Sequence, residues 1–465
     1  MTMAVLMANR GFFPSSVIAA ARAEMMEALN KAGIDALLID EDAVRYGAVE
    51  TTNEGQVFHD FLEAHRGGYD GLIICLPNFG DENGVKAAIR DVNVPILLQA
   101  YPDEIGRMDF EHRRDAFCGK LGLGSVLKQM GVKFTSFPPF VVHPLSEAFH
   151  GQLVKFSAIC RIVKKMRYLR LGAFGARTTA FKSVRYDEVA LEKHGIDVET
   201  LDLSHVMKLF DRIGEDSPEA RRWLELILES ADLGKMPKGK EVLLSRMGAT
   251  FEKIIRDMKL DCVAVRCWDE MEQALGIAPC SLLGILNHLN VPAACELDVT
   301  NAVAMMALNL ASGTPAGLLD WNNNYGEEAD KCILFHCGPL AVDLMTGKGE
   351  MQQHLMFKKT YGDGSGWGLN VGRIAPGEVT FASMRNEDGQ VRYYVGRGEI
   401  TDDPVEEAFF GTPGVLRAEH LQDKLQRIFE GGFRHHVAIT RGDMVDAVGE
   451  ALGKYLGYVK VDIDK

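Results

Sequence analysis

Short apolar runs separated by helical periods fill the first third of the chain. Met3–Met7, Ala36–Ile39, Gly71–Cys75 and Pro95–Leu98 have the length and composition of buried strands. Between them, Val17–Ala32, Gly55–Glu63 and Gly84–Asp91 carry apolar residues at helical spacing, and Ser15 and Ser16 are candidate caps for the first. Strands alternating with helices predict βαβ units and a parallel sheet. Ligands of such sheets lie beyond the carboxyl ends of the strands, and the loops 77–83 and 99–103 leave such ends.

The same alternation restarts near Tyr168. Leu169–Phe174 reads as a strand, Gly175–Phe181 as a loop, Asp187–Lys193 as a helix and Val198–Leu203 as a strand. Pro218–Ser230, Gly239–Met258 and Ser281–Leu289 read as helices, and Cys262–Arg266 and Val291–Cys295 as strands. After Asp320 the character changes. Cys332–Phe335, Glu378–Ser383 and Val391–Val395 are separated by turn residues, which predicts a mostly antiparallel β region. Two helices, Ala418–Phe429 and Gly442–Leu456, are expected to close the chain. The predicted class is α/β: two doubly wound units over 1–166 and 167–316, then a β-rich unit over 317–465.

Composition narrows the function. A chain of 465 residues, 47% hydrophobic and 25% charged, has material for about three ordinary globular domains. The net charge of −14 argues against a nucleic-acid partner. No run of 18 apolar residues exists to span a membrane, and the N-terminal stretch lacks a basic leader and a small-residue cleavage site, so a cytoplasmic location is expected. The nine cysteines form no CxxC pair, and many sit inside apolar runs, which reads as reduced, buried thiols.

Candidate chemistry gathers at three strand ends. Glu296 follows VPAAC, Asp320 follows TPAGLL, and His436 precedes VAIT. Carboxylate oxygen with imidazole nitrogen suits Mn²⁺, Mg²⁺, Fe²⁺ or Zn²⁺ in a catalytic site with open positions. Glu296 also reads as an acid near a helix start, Asp320 as a turn residue, and His336 as a core histidine. His435 and His436 are adjacent, so extended geometry sends them to opposite faces. No GxSxG, HExxH or P-loop motif competes, and the Gly-rich stretch 362–366 reads as a flexible loop. Three cations, Arg177, Lys182 and Arg185, follow a strand end. If they line a pocket they favour an anionic ligand; otherwise they are solvated loop charges. Trp321, Asn322, Asn323 and Trp367 are candidates to pack against or hydrogen-bond a ligand.

In order, GIAPCSLLGILNHLNVPAACELDVTNAV, the Asp320 segment with FHCG after it, and GGFRHHVAI resemble the L-fucose/L-arabinose isomerase family of aldose–ketose isomerases. The resemblance runs from about Tyr168 to the C-terminus and more loosely over the N-terminal part. It implies an Mn²⁺ site made of Glu296, Asp320 and His436. The two acids would also move the proton between C1 and C2. The arabinose branch adds a histidine ligand at His336 and has the His435–His436 pair. The chain is shorter than typical fucose-branch members, and it combines that branch's Asp with arabinose-like histidine spacing. The reaction type therefore carries over and the sugar does not; sulfoquinovose, a sulfonated hexose, is among the expected substrates. Two Rossmann-like domains and a β-rich one are implied, in a hexamer or similar homo-oligomer whose active site borrows residues from a neighbour. The alternatives are a non-catalytic sugar-binding protein and another divalent-metal enzyme, a hydrolase or aldolase.

Overall fold

In the computed structural model, which describes residues 1–464, the chain divides into two compact units. The first comprises residues 1–164 and 450–455. Its sheet has four parallel strands in the order Asp35–Leu38, Thr2–Met7, Gly71–Leu76, Ile96–Ala100. Gly71–Leu76 and Ile96–Ala100 are buried at every position, as continuous apolar runs are when both faces of a sheet are covered. Thr51 and Glu54 form a capping box at the start of helix Thr52–Ala64. Ser16 does occupy the N-cap of helix Val17–Lys31, but its side chain makes no capping bond.

The expected helix Gly442–Leu456 is shorter and broken. It runs over Val445–Gly449 and continues as a π-helical turn, Glu450–Tyr455. That turn belongs to the first unit, where the Tyr455 hydroxyl lies 3.3 Å from Ile96 N and 3.2 Å from Ile96 O.

The second unit comprises residues 165–449 and the segment from Leu456 onward. It holds a parallel sheet in the order Ile196–Leu201, Leu169–Phe174, Cys262–Val265, Ala293–Ala294. It also holds a larger sheet in which six antiparallel strands pair in a ring: Gly377–Glu387, His436–Arg441, Gly317–Asn324, Lys331–His336, Thr412–Arg417 and Gln390–Thr401. Pairing of Gly377–Glu387 with Gln390–Thr401 closes the ring and removes exposed edges. Leu319, Leu334, Phe381, Tyr394, Leu416 and Val437 share its core.

The expected division at residue 316 does not separate two compact units. Helix Val299–Ser312 is the physical reason. It packs on strands Cys262–Val265 and Ala293–Ala294 of the parallel sheet, and also on strands Gly377–Glu387 and His436–Arg441 of the ring. Twelve of its 14 residues are buried, as expected of a helix that is apolar all round. The 362–366 loop is also tied down, contrary to expectation. The Gln353 amide donates to the carbonyls of Gly362, Asp363 and Ser365, and Trp367 Nε1 donates to the Asp363 carbonyl.

Candidate active site

Strand register brings the first two residues together. Gly317–Asn324 runs antiparallel to His436–Arg441, and Asp320 lies directly opposite His436. Leu319 and Val437, one position away on each strand, turn into the core behind the site. Asp320 is thus a strand residue, not a turn residue, because the strand continues to Asn324.

Glu296 arrives from the parallel sheet. It follows the short strand Ala293–Ala294, and both Glu296 (φ 58°) and Leu297 (φ 59°) take left-handed backbone conformations. Such conformations cost non-glycine residues about 1–3 kcal/mol each and concentrate at functional sites. Here the turn is held by Leu297 N donating to Val265 O (3.1 Å) and Asp298 N donating to Cys295 O (3.1 Å). It turns the chain between the strand and the buried helix. Glu296 Oε2 is 3.3 Å from His436 Nε2, and Asp320 Oδ1 is 3.5 Å from the same nitrogen.

Behind these residues lies a layer that reading the sequence missed. Asp298 is fully buried at the N-cap of helix Val299–Ser312 and accepts from Asn301 N at 3.1 Å. Its Oδ2 is 2.8 Å from His436 Nδ1, and its Oδ1 accepts from the buried Arg434 guanidinium. Arg434 also donates to Thr300 Oγ1 at 2.7 Å. Burial pushes the Asp298 carboxyl up, but Arg434 and His436 outweigh it and hold it well below the usual range. The signal was present: Asp298 immediately precedes an apolar helix, the position of an N-cap.

His436 is pushed down by burial, but the carboxylates of Asp298, Glu296 and Asp320 raise it to about 10. Glu296 is held low; burial opposes this and His436 favours it. His336 and His435 are both lowered, chiefly by burial, with the neighbouring His436 adding to it. His435 lies just outside its strand, so strict alternation does not govern it. Its ring centroid is 4.4 Å from that of His436, and its Nε2 is 3.8 Å from Asp320 Oδ1. Both histidines thus approach Asp320, although extended geometry predicted opposite faces.

The donors fit a divalent cation. Ligand atoms of Glu296, His336 and His436 lie within 4.8 Å of one another, as do those of Asp320, His435 and His436. Asp320 Oδ1 and His436 Nε2 are buried and lack a hydrogen-bond partner. His436 Nδ1 is committed to Asp298, so Nε2 is the ring nitrogen left for a metal, which must displace the proton there. A small cavity adjoins the site and is lined by Glu296, His336, His354, Trp268, Phe357 and four thiols, Cys267, Cys280, Cys295 and Cys337.

The remaining expected residues lie elsewhere. Trp321 faces the ring's core, with Nε1 3.0 Å from the Tyr394 hydroxyl and its ring edge-on to Phe381. Alternation requires this once Asp320 faces the site. Asn323 is exposed, beyond a bulge that interrupts the strand after Trp321. Arg177 donates to the Thr178 and Thr179 carbonyls, and Arg185 to that of Lys182. Their loop does touch the cavity wall: Thr178 Oγ1 donates to Trp268 O at 3.4 Å, and Phe181 packs edge-on to Trp268.

Residues 4–167 match the model for the fucose/sulfoquinovose isomerase N-terminal domain, and residues 334–463 match that for the L-fucose isomerase C-terminal domain. A sulfoquinovose isomerase of Alkalicoccus urumqiensis is 25% identical over 85% of this chain and 86% of its own length. Sulfoquinovose isomerases of Priestia aryabhattai and Priestia megaterium (strain ATCC 12872 / QMB1551) are each 25% identical over 88% of both chains. With both ends of the chain matched and the acid/histidine site between strands of the C-terminal ring, the chain belongs to the L-fucose isomerase-like family.

Proposed function

We propose that the chain is a divalent-metal-dependent aldose–ketose isomerase acting on sulfoquinovose. One observation carries the chemistry: Asp320 Oδ1 and His436 Nε2 are buried, make no hydrogen bond and lie beside each other and Glu296. The substrate rests on similarity to the sulfoquinovose isomerases. Glu296, Asp320 and His436 would hold the cation, Mn²⁺ or another divalent ion. A bound cation supplies Lewis-acid polarisation of the sugar's carbonyl and neighbouring hydroxyl oxygens. One of the two carboxylates takes the proton from the carbon beside the carbonyl and returns it to the former carbonyl carbon, while the hydroxyl proton passes from the second oxygen to the first. The low pKa of Glu296 keeps it ionised, as a cation's ligand must be. Asp298 and Arg434 hold the His436 ring in the orientation the site needs.

Arg177 and Arg185 would hold the sulfonate, since their loop packs against the cavity wall at Trp268. The reading includes two Rossmann-like domains before the β-rich one, a cytoplasmic location, and a homo-oligomer, hexameric or similar, in which a neighbour completes the pocket. Among the described residues no helix is long and apolar enough to cross a membrane.

The deciding experiment supplies purified protein and Mn²⁺ with sulfoquinovose, L-fucose, L-arabinose and D-arabinose, and follows ketose formation. Conversion of sulfoquinovose to a ketose of unchanged mass is expected. Turnover of only the neutral sugars would remove the substrate assignment, and cleavage products would remove the isomerase reading.

A further inference from the structure

We propose that His336 is not a metal ligand but a hydrogen-bond donor to a substrate oxygen, and this rests on the isomerase reading above. The two buried histidines of the site are wired in opposite ways. In His436, Nδ1 faces the Asp298 carboxylate at 2.8 Å and must carry a hydrogen, so Nε2 is the nitrogen a cation can take by displacing its proton. In His336, the backbone N–H of Cys337 donates to Nδ1 at 2.8 Å. That nitrogen must therefore be bare, and the ring hydrogen sits on Nε2. A nitrogen that carries hydrogen has no lone pair in the ring plane and cannot ligate a metal. Moving the hydrogen to Nδ1 would set it against the Cys337 N–H.

The position of His336 matches the donor role. Its side chain is buried, and Nε2 has no hydrogen-bond partner. Its ring centroid is 6.0 Å from that of His436, and it shares a cluster of closely spaced polar atoms with Glu296 and His436. A buried N–H without an acceptor is uncommon in a folded protein and calls for an explanation. A sugar oxygen on one of the two reacting carbons would supply the acceptor. Negative charge develops on these oxygens as the proton leaves carbon, so a fixed N–H there acts as an oxyanion donor. His336 would thus divide the labour with His436, one stabilising the reacting sugar and the other holding the cation.

The test measures cation binding and turnover separately in the full-length chain. Mn²⁺ alone is titrated calorimetrically into wild type, His336→Ala, His336→Gln and His436→Ala, and each is assayed on sulfoquinovose. For both His336 variants, Mn²⁺ affinity should stay well inside the about tenfold loss that marks damage to a metal's surroundings. The kcat of His336→Ala should fall by about 10²–10³, the cost of losing one oxyanion donor, and His336→Gln should recover part of it. His436→Ala should lose Mn²⁺ binding. A tenfold or greater loss of affinity in the His336 variants would make it a ligand and overturn the proposal, as would wild-type turnover in His336→Ala. If His336→Ala does not fold, as judged by its melting transition, His336→Gln decides by the same affinity criterion and by a reduced kcat. If wild type neither binds Mn²⁺ nor isomerises, the underlying reading falls instead, and the two failures are distinct.

Discussion

Asp298 and His436 lie 138 residues apart in sequence and meet at 2.8 Å, both fully buried. The contact joins the start of the buried helix to the first residue of a strand in the ring. It fixes the His436 ring with Nε2 toward Glu296 and Asp320. Arg434 neutralises the same carboxylate from the other side, so the site rests on a buried Arg–Asp–His chain.

Asp298→Asn tests this chain. It removes the charge that faces both Arg434 and His436. Breaking one side of a buried ion pair costs about 3–5 kcal/mol, because the remaining charge stays buried without its partner. Replacing a residue that orients a metal ligand lowers metal affinity by about 10–100-fold. Denaturant unfolding and Mn²⁺ titration of the variant should show both losses. Wild-type values in both would mean that Asp298 does not position His436.

Glu296→Gln and Asp320→Asn test the reacting carboxylates. Each change is close to isosteric, so melting temperature should stay near wild type while kcat falls by about 10²–10⁴. The turn that carries Glu296 is held by backbone bonds of Leu297 and Asp298, which either substitution leaves in place. A carboxamide variant that keeps wild-type kcat would exclude that residue from proton transfer.

Much of this arrangement was legible beforehand, and the limit was long-range pairing. Gly71–Leu76 and Ile96–Ala100 were readable because strands buried on both faces are continuous apolar runs. Glu296, Asp320 and His436 were readable because each is a polar residue abutting such a run. The direction of Trp321 was not, because it depends on the register that sets Asp320 opposite His436. The role of Asp298 was hidden as well. A local motif marks it as an N-cap, but only the packing of that helix on the ring brings it to His436. The opposite wiring of His336 rests on one backbone N–H, which no residue pattern encodes.

The raised pKa of His436 predicts two pH dependences of opposite sign. Without metal, His436 keeps its proton up to about 10, and a cation at Nε2 must displace it. Mn²⁺ affinity should therefore rise by about tenfold per pH unit between about pH 7 and 9. Stability of the chelator-treated protein should move the other way. A group with a raised folded pKa stabilises fully below its unfolded value, about 6.5, and loses that contribution as pH climbs toward 10. Melting temperature, taken relative to a His436→Asn control, should thus fall from pH 7 to pH 10. Asp298, held low, contributes above its unfolded value of about 3.9 and loses that contribution only in stronger acid. A flat difference between wild type and control from pH 7 to 10 would show that His436 is not raised.

The sulfonate can be followed through Arg177 and Arg185. Both guanidiniums now donate to carbonyls of their own loop, and neither has an acid partner among the described residues. An anionic group at the cavity mouth would compete for them, because the guanidiniums would then face a full negative charge rather than a carbonyl dipole. Arg177→Ala or Arg185→Ala should raise KM for sulfoquinovose by about tenfold, with kcat little changed, since binding away from the reacting carbons is lost equally in ground and transition states. Rising salt should raise KM in wild type more than in the double variant. The corresponding 6-deoxy sugar, which lacks the sulfonate, should respond to neither change. If the variants keep wild-type KM for sulfoquinovose, these arginines are solvated loop charges and the sulfonate is held by other residues.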